Sequence, residues 1–299
     1  MTPWAKQSAR PLEGEGMAHP VQIPAEILEL SPVGAYHRLV LYAPGVAARV
    51  RPGHFATLAV GGADSSMLLR RAFSIHRADT EAETITLVLA AHGRGTEQLV
   101  RSRVGDTVGL IAPLGTAFPL PVGPLTALLV AGGYGSAPLF GLAESIKEQG
   151  GSVGFILGAS TADRLYGVEQ AQQLTPDVLV TTDDGSSGIK GQVTLPLAEA
   201  LKAIGAEAVY SCGPMPMLRA VTEIANAGGA RSFCAVEEAM ACGVGVCMTC
   251  VLPVVGEDGV SRFVRSCVEG PCFDGSRVRW SDVGTIPADL HGAAAMGVH

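Results

Sequence analysis

Residues Leu125–Ala143 read LTALLVAGGYGSAPLFGLA, an uncharged stretch close to the length of a membrane span. Gly132, Gly133, Gly135 and Pro138 interrupt it halfway. A spanning helix would lose its backbone pairing there, with no water to replace it. The same letters read well as a buried strand over Ala127–Ala131, a glycine turn, and an apolar helix from Ala137 to about Glu148. A glycine turn at a helix N-terminus lets a pyrophosphate approach bare N–H groups, so a dinucleotide is the expected ligand of Gly132, Gly133 and Gly135. It is not a full G-x-G-x-x-G, because Pro138 takes the third glycine's place.

Downstream, strands are expected at Val153–Leu157, Val178–Thr182 and Ala208–Ser211, with helices around Val168–Leu174 and Leu195–Ile204. Strands alternating with helices predict a parallel α/β sheet. Upstream, from about Val21 to Leu120, short apolar runs (His37–Leu41, Phe55–Val60, Thr84–Ala90, Thr107–Ile111) are broken by Pro-Gly and Gly-Asp turns. That pattern predicts a small antiparallel β-barrel or sandwich. The chain thus divides into a flexible leader (1–20), a β-barrel (21–123), an α/β nucleotide-binding domain (124–228), a cluster domain (229–283) and a tail (284–299). The first twenty residues resemble neither a signal peptide nor a transit helix, and Met17 is an alternative start.

Composition narrows the class. Of 299 residues, 47% are apolar and only 16% charged, which excludes a disordered chain. A net charge of −7 leaves no basic face for nucleic acid. Five of the seven cysteines fall between Cys242 and Cys272, and without a secretory signal they read as metal ligands in a cytoplasmic protein. Cys242, Cys247 and Cys250 stand as C-x4-C-x2-C in ACGVGVCMTC, and Cys267 follows after sixteen intervening residues. This is the plant-type spacing for a 2Fe–2S cluster. Two alternatives stay open: a zinc site, which more often uses paired C-x2-C units, and Cys272 in place of Cys267 as fourth ligand. Cys212 and Cys234 read as ordinary buried thiols.

Three further segments carry chemistry. RRAFSI (Arg70–Ile75) offers a cation, a ring and a hydroxyl on one extended stretch, and GRGT (Gly93–Thr96) opens a helix. Together they suit a flavin and its pyrophosphate, against a plain surface salt bridge for Arg71 and a core place for Phe73. Cys212-Gly213-Pro214 follows a strand end, where a nicotinamide would lie. In TTDDGSSG (Thr181–Gly188), Asp183 and Asp184 would repel a 2′-phosphate and so favour NAD over NADP. Glu237 and Glu238 either approach a flavin or are simply solvated, the solvated reading being preferred, and His37, His54, His76 and His92 read as strand or loop surface.

Barrel, α/β domain and cysteine region in that order resemble the ferredoxin–NADP reductase superfamily. Within it the chain is similar to the electron-transfer subunits of dihydroorotate dehydrogenase B, from about residue 21 to 283. The most specific match is MACGVGVCMTCVLPV with VRSCVEGPCFDG; LLRRAFSI, GRGTEQL, APLGTAF, AGGYGSAPL, DDGSSGIKGQVT and SCGPMPM also fit. The resemblance implies that Arg71, Ala72, Phe73, Ser74, Val88, Leu89, Ala90, Gly95 and Thr96 line FAD. It implies that Cys242, Cys247, Cys250 and Cys267 hold the cluster, and that Gly132, Gly133, Gly135, Cys212, Gly213 and Pro214 face NAD. It further implies a partner subunit that carries FMN and oxidises dihydroorotate in pyrimidine biosynthesis, two copies of each subunit forming a heterotetramer. Electrons would run from that FMN through the cluster and FAD to NAD+. Ala72 departs from the family's commoner proline. A sister reading reverses the current, with NAD(P)H reducing a flavin that feeds another acceptor, as in sulfide dehydrogenase or ferredoxin:NADP reductase subunits; these often carry an acidic residue where Cys242 stands. A non-enzyme reading, a zinc-stabilised binding module without flavin, would leave RRAFS and GRGT unused.

Overall fold

The computed structural model describes residues 19–61 and 67–293. Most of the expected leader, residues 1–18, and the last six residues of the expected tail lie outside the described residues.

The first unit is a closed antiparallel barrel. Its strands are β1 (Val21–Val33), β2 (Tyr36–Tyr42), β3 (Phe55–Leu58), β4 (Arg71–Asp79), β5 (Thr84–Leu89) and, after the short helix α1 (Arg94–Leu99), β6 (Thr107–Leu114). They pair in the order β1-β2-β5-β4-β3-β6, and β6 closes on β1. Alternation makes the barrel wall: Ala25 and Ile27 are buried while Glu26 and Leu28 face out. The inward set, with Leu39, Leu41, Ile85, Leu87 and Leu110, forms one apolar plug.

The second unit is a doubly wound sheet. It comprises β7 (Thr126–Gly132), α2 (Ala137–Glu148), β8 (Ser152–Ala159), α3 (Val168–Leu174), β9 (Val178–Thr182), β10 (Ile189–Lys190), α4 (Leu197–Ile204), β11 (Ala208–Cys212), α5 (Met215–Ala227) and β12 (Arg231–Ala235). The strand β7 sits between β8 and β11, so both of its faces need cover. Ala127, Leu129 and Ala131 pack with α2, and Leu128 and Val130 pack with α4 and α5. A strand buried on both faces reads as an unbroken apolar run, which is why this segment mimics a membrane span. No helix among the described residues is long and apolar enough to cross a membrane.

The last unit holds the hairpin β13 (Val251–Val255) and β14 (Ser261–Arg265), then β15 (Cys272–Asp274). The sheet does not stop at the expected boundary between residues 228 and 229. Strand β12 extends it in parallel, and β15 adds an antiparallel edge, giving the order β10-β9-β8-β7-β11-β12-β15. The stretch set apart as a tail also packs back: Leu290 and Ala293 are buried, His291 N–H donates to Ser261 O at 2.8 Å, and Arg279 pairs with Asp289.

Barrel and sheet are locked where β4 lies on α2. His76, expected at the surface, is only 5% exposed. Its Nδ1 lies 2.8 Å from Ala137 O, and Tyr166 Oη lies 3.3 Å from its Nε2. His54 is likewise buried, its Nδ1 accepting from Arg51 N–H at 3.0 Å. Tyr36 Oη donates to Arg164 O at 2.7 Å, and Tyr210 Oη to Pro119 O at 2.8 Å, adding two more ties.

Burial pulls the His76 pKa down to about 4. An unfolded imidazole, with a pKa near ~6.5, accepts a proton that the folded one refuses. Its contribution to stability is therefore complete above pH ~6.5 and is lost as pH falls towards ~4, by about 1.4 kcal/mol per pH unit. Urea midpoints of the wild type should fall more steeply than those of His76→Asn between pH 6.5 and 4.5. The carboxylates titrate in both proteins, so equal slopes would show that the imidazole is not buried neutral.

Candidate functional site

Two cavities adjoin at the seam. The first, about 480 Å³, lies between the barrel and the sheet. Its barrel wall holds Arg71, Ala72, Phe73 and Ser74 on β4, Val88, Leu89 and Ala90 at the end of β5, and Thr96 on α1. Eight of the nine residues expected to line a flavin therefore share one cavity. The ninth, Gly95, sits under the Arg71 guanidinium: a Cβ there would come within 2.5 Å of Arg71 Nε. Arg71 makes no ion pair among the described residues; its Nη1 donates to Leu69 O at 2.7 Å. Phe73 both packs on the barrel core and faces the cavity.

The opposite wall comes from the sheet and from the chain leaving it: Gly135, Cys212 and Val236–Met240. Glu237 and Glu238, read as solvated, are part of this wall, and burial pushes both carboxyl groups up. They emerge from β12, and nothing local in the sequence shows that β12 ends at the seam. His92, just before GRGT, also lines this cavity.

The second cavity, about 440 Å³, opens at the carboxyl ends of β7, β8, β9 and β11. This is where the strand order reverses, the usual ligand crevice of such sheets. Gly132, Gly133 and Pro214 line it. Gly135 and Cys212 face the first cavity instead, and Gly213 is buried between the two turns. The glycines permit that packing: a Cβ at Gly135 would lie 2.6 Å from Cys212 O, and one at Gly132 3.0 Å from Pro214 Cδ. Asp183 lines the cavity, whereas the Asp184 carboxylate is taken by Ser186, at 2.6 Å from its Oγ. Arg164 and Tyr36, unmarked by any motif, complete the crevice. Tyr134 and Glu237 line both cavities, so the two spaces share a wall. Tyr134 stands out in the sequence only as the aromatic inside the glycine turn.

The cysteine loop packs against the barrel. Gly243 and Gly245 have φ of +71° and +80°, in the left-handed region that glycine enters freely. That turn aims backbone N–H groups at sulfur: Val244 and Val246 at Cys242 Sγ (3.4 Å each) and Gly245 at Cys267 Sγ (3.1 Å). Thr249 Oγ1 donates to Cys247 Sγ at 3.1 Å, and hydrogen bonds from Thr249 and Cys242 bring the Cys247 pKa down to about 6. Cys267 is pushed up to about 12 by burial and by the adjoining Cys250. Cys247 interacts with Cys242, and Cys267 with Cys250 and, less strongly, with Cys242. No three ligand-type side chains among the described residues converge on one ion-sized point. Cys272 is elsewhere, on β15 and 3.7 Å from Gly53 O. Burial holds it, Cys212 and Cys234 well above the ordinary thiol range, as neutral thiols.

Comparison with known proteins agrees with this layout. Residues 237–279 match the model described as the iron-sulfur cluster binding domain of dihydroorotate dehydrogenase B, and residues 129–223 match an oxidoreductase NAD-binding domain. Among solved structures, that of an NADH-dependent reduced ferredoxin-NADP oxidoreductase superposes with a TM-score of 0.74 at 26% identity, covering 92% of this chain and 96% of that one. Phthalate dioxygenase reductase, at 16% identity and a TM-score of 0.58 over 79% of this chain and 87% of its own, shares the fold. The dihydroorotate dehydrogenase B (NAD(+)) electron transfer subunit of Shouchella clausii is 39% identical over 79% of this chain and 90% of its own length. That of Bacillus caldolyticus is 36% identical over 76% and 86%. With this identity over nearly the whole of such relatives, the chain belongs to the family of dihydroorotate dehydrogenase B electron transfer subunits.

Proposed function

We propose that the first cavity holds FAD, that NAD binds in the second, and that Cys242, Cys247, Cys250 and Cys267 ligate a 2Fe–2S cluster. The chain is then the electron transfer subunit that delivers to NAD+ the electrons an FMN-containing catalytic partner takes from dihydroorotate, in pyrimidine biosynthesis. Two copies of each subunit, in the cytoplasm, complete the reading. When bound, the flavin and cluster supply the interconversion of single electrons and hydride-level pairs.

One observation carries the proposal. Phe55 packs in the same buried group as Cys250 and Cys267, and it also forms part of the first cavity's wall. Met240 does the same, so the cysteine loop adjoins the flavin-sized space through these two side chains. The donor set fits a binuclear cluster: each iron takes two thiolates, and the four cysteines supply them. A tetrahedral zinc would need all four at one point. A bound cluster would supply the positive charge that thiolate ligands require. Around the other sites, Gly132 and Gly133 bare backbone to a pyrophosphate, Arg71 offers a cation to the first cavity, and Asp183 disfavours a 2′-phosphate.

Three experiments test this. The chain purified anaerobically with its partner should show flavin and cluster absorbance, bleached by NADH and restored by orotate. Bleaching without recovery beside an FMN-bearing partner would favour the reverse-flow reductase; a colourless, zinc-containing preparation would end both flavoprotein readings. Cys267→Ser should lose most of its iron and sulfide while Cys272→Ser keeps both, and the opposite pattern would exchange the fourth ligand. Gly245→Ala should lose about 1–2 kcal/mol from its left-handed backbone. It should also lose much of its iron, because the new Cβ would lie 2.5 Å from Val268 Cγ2 and shift the N–H aimed at Cys267. Full iron content in this variant would remove the loop from the argument.

A further inference from the structure

The strand that carries Arg71–Ser74 continues to His76, two residues beyond the first cavity's wall. The nucleotide turn, Gly133–Ser136, runs directly into Ala137 at the start of α2. His76 joins these two segments by two routes. Its Nδ1 faces Ala137 O at 2.8 Å, and a carbonyl can only accept, so Nδ1 carries the hydrogen. Nε2 is then bare and accepts from the Tyr166 hydroxyl at 3.3 Å. Tyr166 in turn accepts at its backbone oxygen from Ser136 Oγ (3.0 Å), a hydroxyl that also lies 3.1 Å from Gly133 O. One neutral tautomer satisfies every partner. The ring is wedged edge-on against Phe140 (5.7 Å between centroids) and Tyr166 (5.6 Å), so it has no room to swing away.

We propose that His76 is a positioning residue that sets the nucleotide turn at a fixed height above the flavin strand, through Ala137 directly and through Tyr166 and Ser136. It touches neither cavity. Its effect falls on where Gly132, Gly133 and Tyr134 present themselves, and so on the reach of the nicotinamide end of NAD towards the first cavity. The inference rests on the reading of the second cavity as the NAD site.

The test uses the full complex with its bound flavin and cluster. His76→Phe keeps ring volume and packing but removes both hydrogen bonds. His76→Asn keeps a donor close to the Nδ1 position. NAD+ is titrated while its perturbation of the flavin absorbance is followed, with FAD and iron per chain and far-UV circular dichroism measured in parallel. His76→Phe should keep its FAD, iron and dichroism yet bind NAD+ about tenfold more weakly, with KM for NAD+ rising more than kcat falls. His76→Asn should recover most of that affinity. Unchanged NAD+ affinity in His76→Phe, or equal loss of FAD and NAD+ in both variants, would overturn the positioning role alone. A wild-type complex whose flavin absorbance ignores NAD+ would overturn the NAD site and this inference with it.

Discussion

A cavity whose two walls come from different domains keeps its shape only while those domains cannot slide. Here the packing of β4 on α2 supplies that constraint. His76 is hydrogen-bonded to the first residue of α2, and the rings of Phe140 and Tyr166 close around it. The ties from Tyr36 to Arg164 and from Tyr210 to Pro119 lie on either side. The first cavity draws on both partners of this joint: Arg71–Ser74 from β4, Gly135 and Cys212 from the sheet. The second cavity depends on it too, because Tyr134 and Glu237 belong to both. The Arg77–Glu144 ion pair also links β4 to α2, at the partly exposed rim of the joint.

Charge is handled differently at the cysteines. The thiols are held by a loop whose N–H groups already point at sulfur. At Cys247 the Thr249 hydroxyl, followed by the Thr249 backbone, favours the ionised form. Burial and the neighbouring Cys250 push the Cys267 thiol the other way. Cys247 is exposed at the surface while Cys250 and Cys267 are buried, so the loop presents its sulfurs from the surface inward. The three remaining cysteines lie in the apolar interior, where a neutral thiol packs as a small hydrophobe.

Much of this was legible because it is local. The apolar run Ala127–Ala131 with its glycine turn, the C-x4-C-x2-C spacing and the RAFS stretch each need only a few neighbouring residues to be read. The helices Ala137–Glu148 and Val168–Leu174 came out at the expected bounds. What escaped was set by distant partners. His76 carries no sign that a helix sixty residues on will cover it, and Glu237 none that its strand ends at a cavity shared by two domains. Strand β15 is three residues long, too short for periodicity, and only its pairing with β12 defines it. The split of Gly135 and Cys212 away from Gly132 and Pro214 likewise follows from the way two turns pack, not from either turn's own letters.

The edge of the sheet has a consequence for how such a molecule can be assembled. The chain departs from β12 at Ala235 and returns in β15 at Cys272, the residue paired with Ala235 across neighbouring strands. Adjacent strands stand only about 5 Å apart. Everything between, cysteine loop and hairpin included, is thus an excursion whose entry and exit nearly coincide. Segments with adjoining ends can be gained or lost with little disturbance to the host. Such an excursion can vary in length while the sheet edge that carries it stays in place.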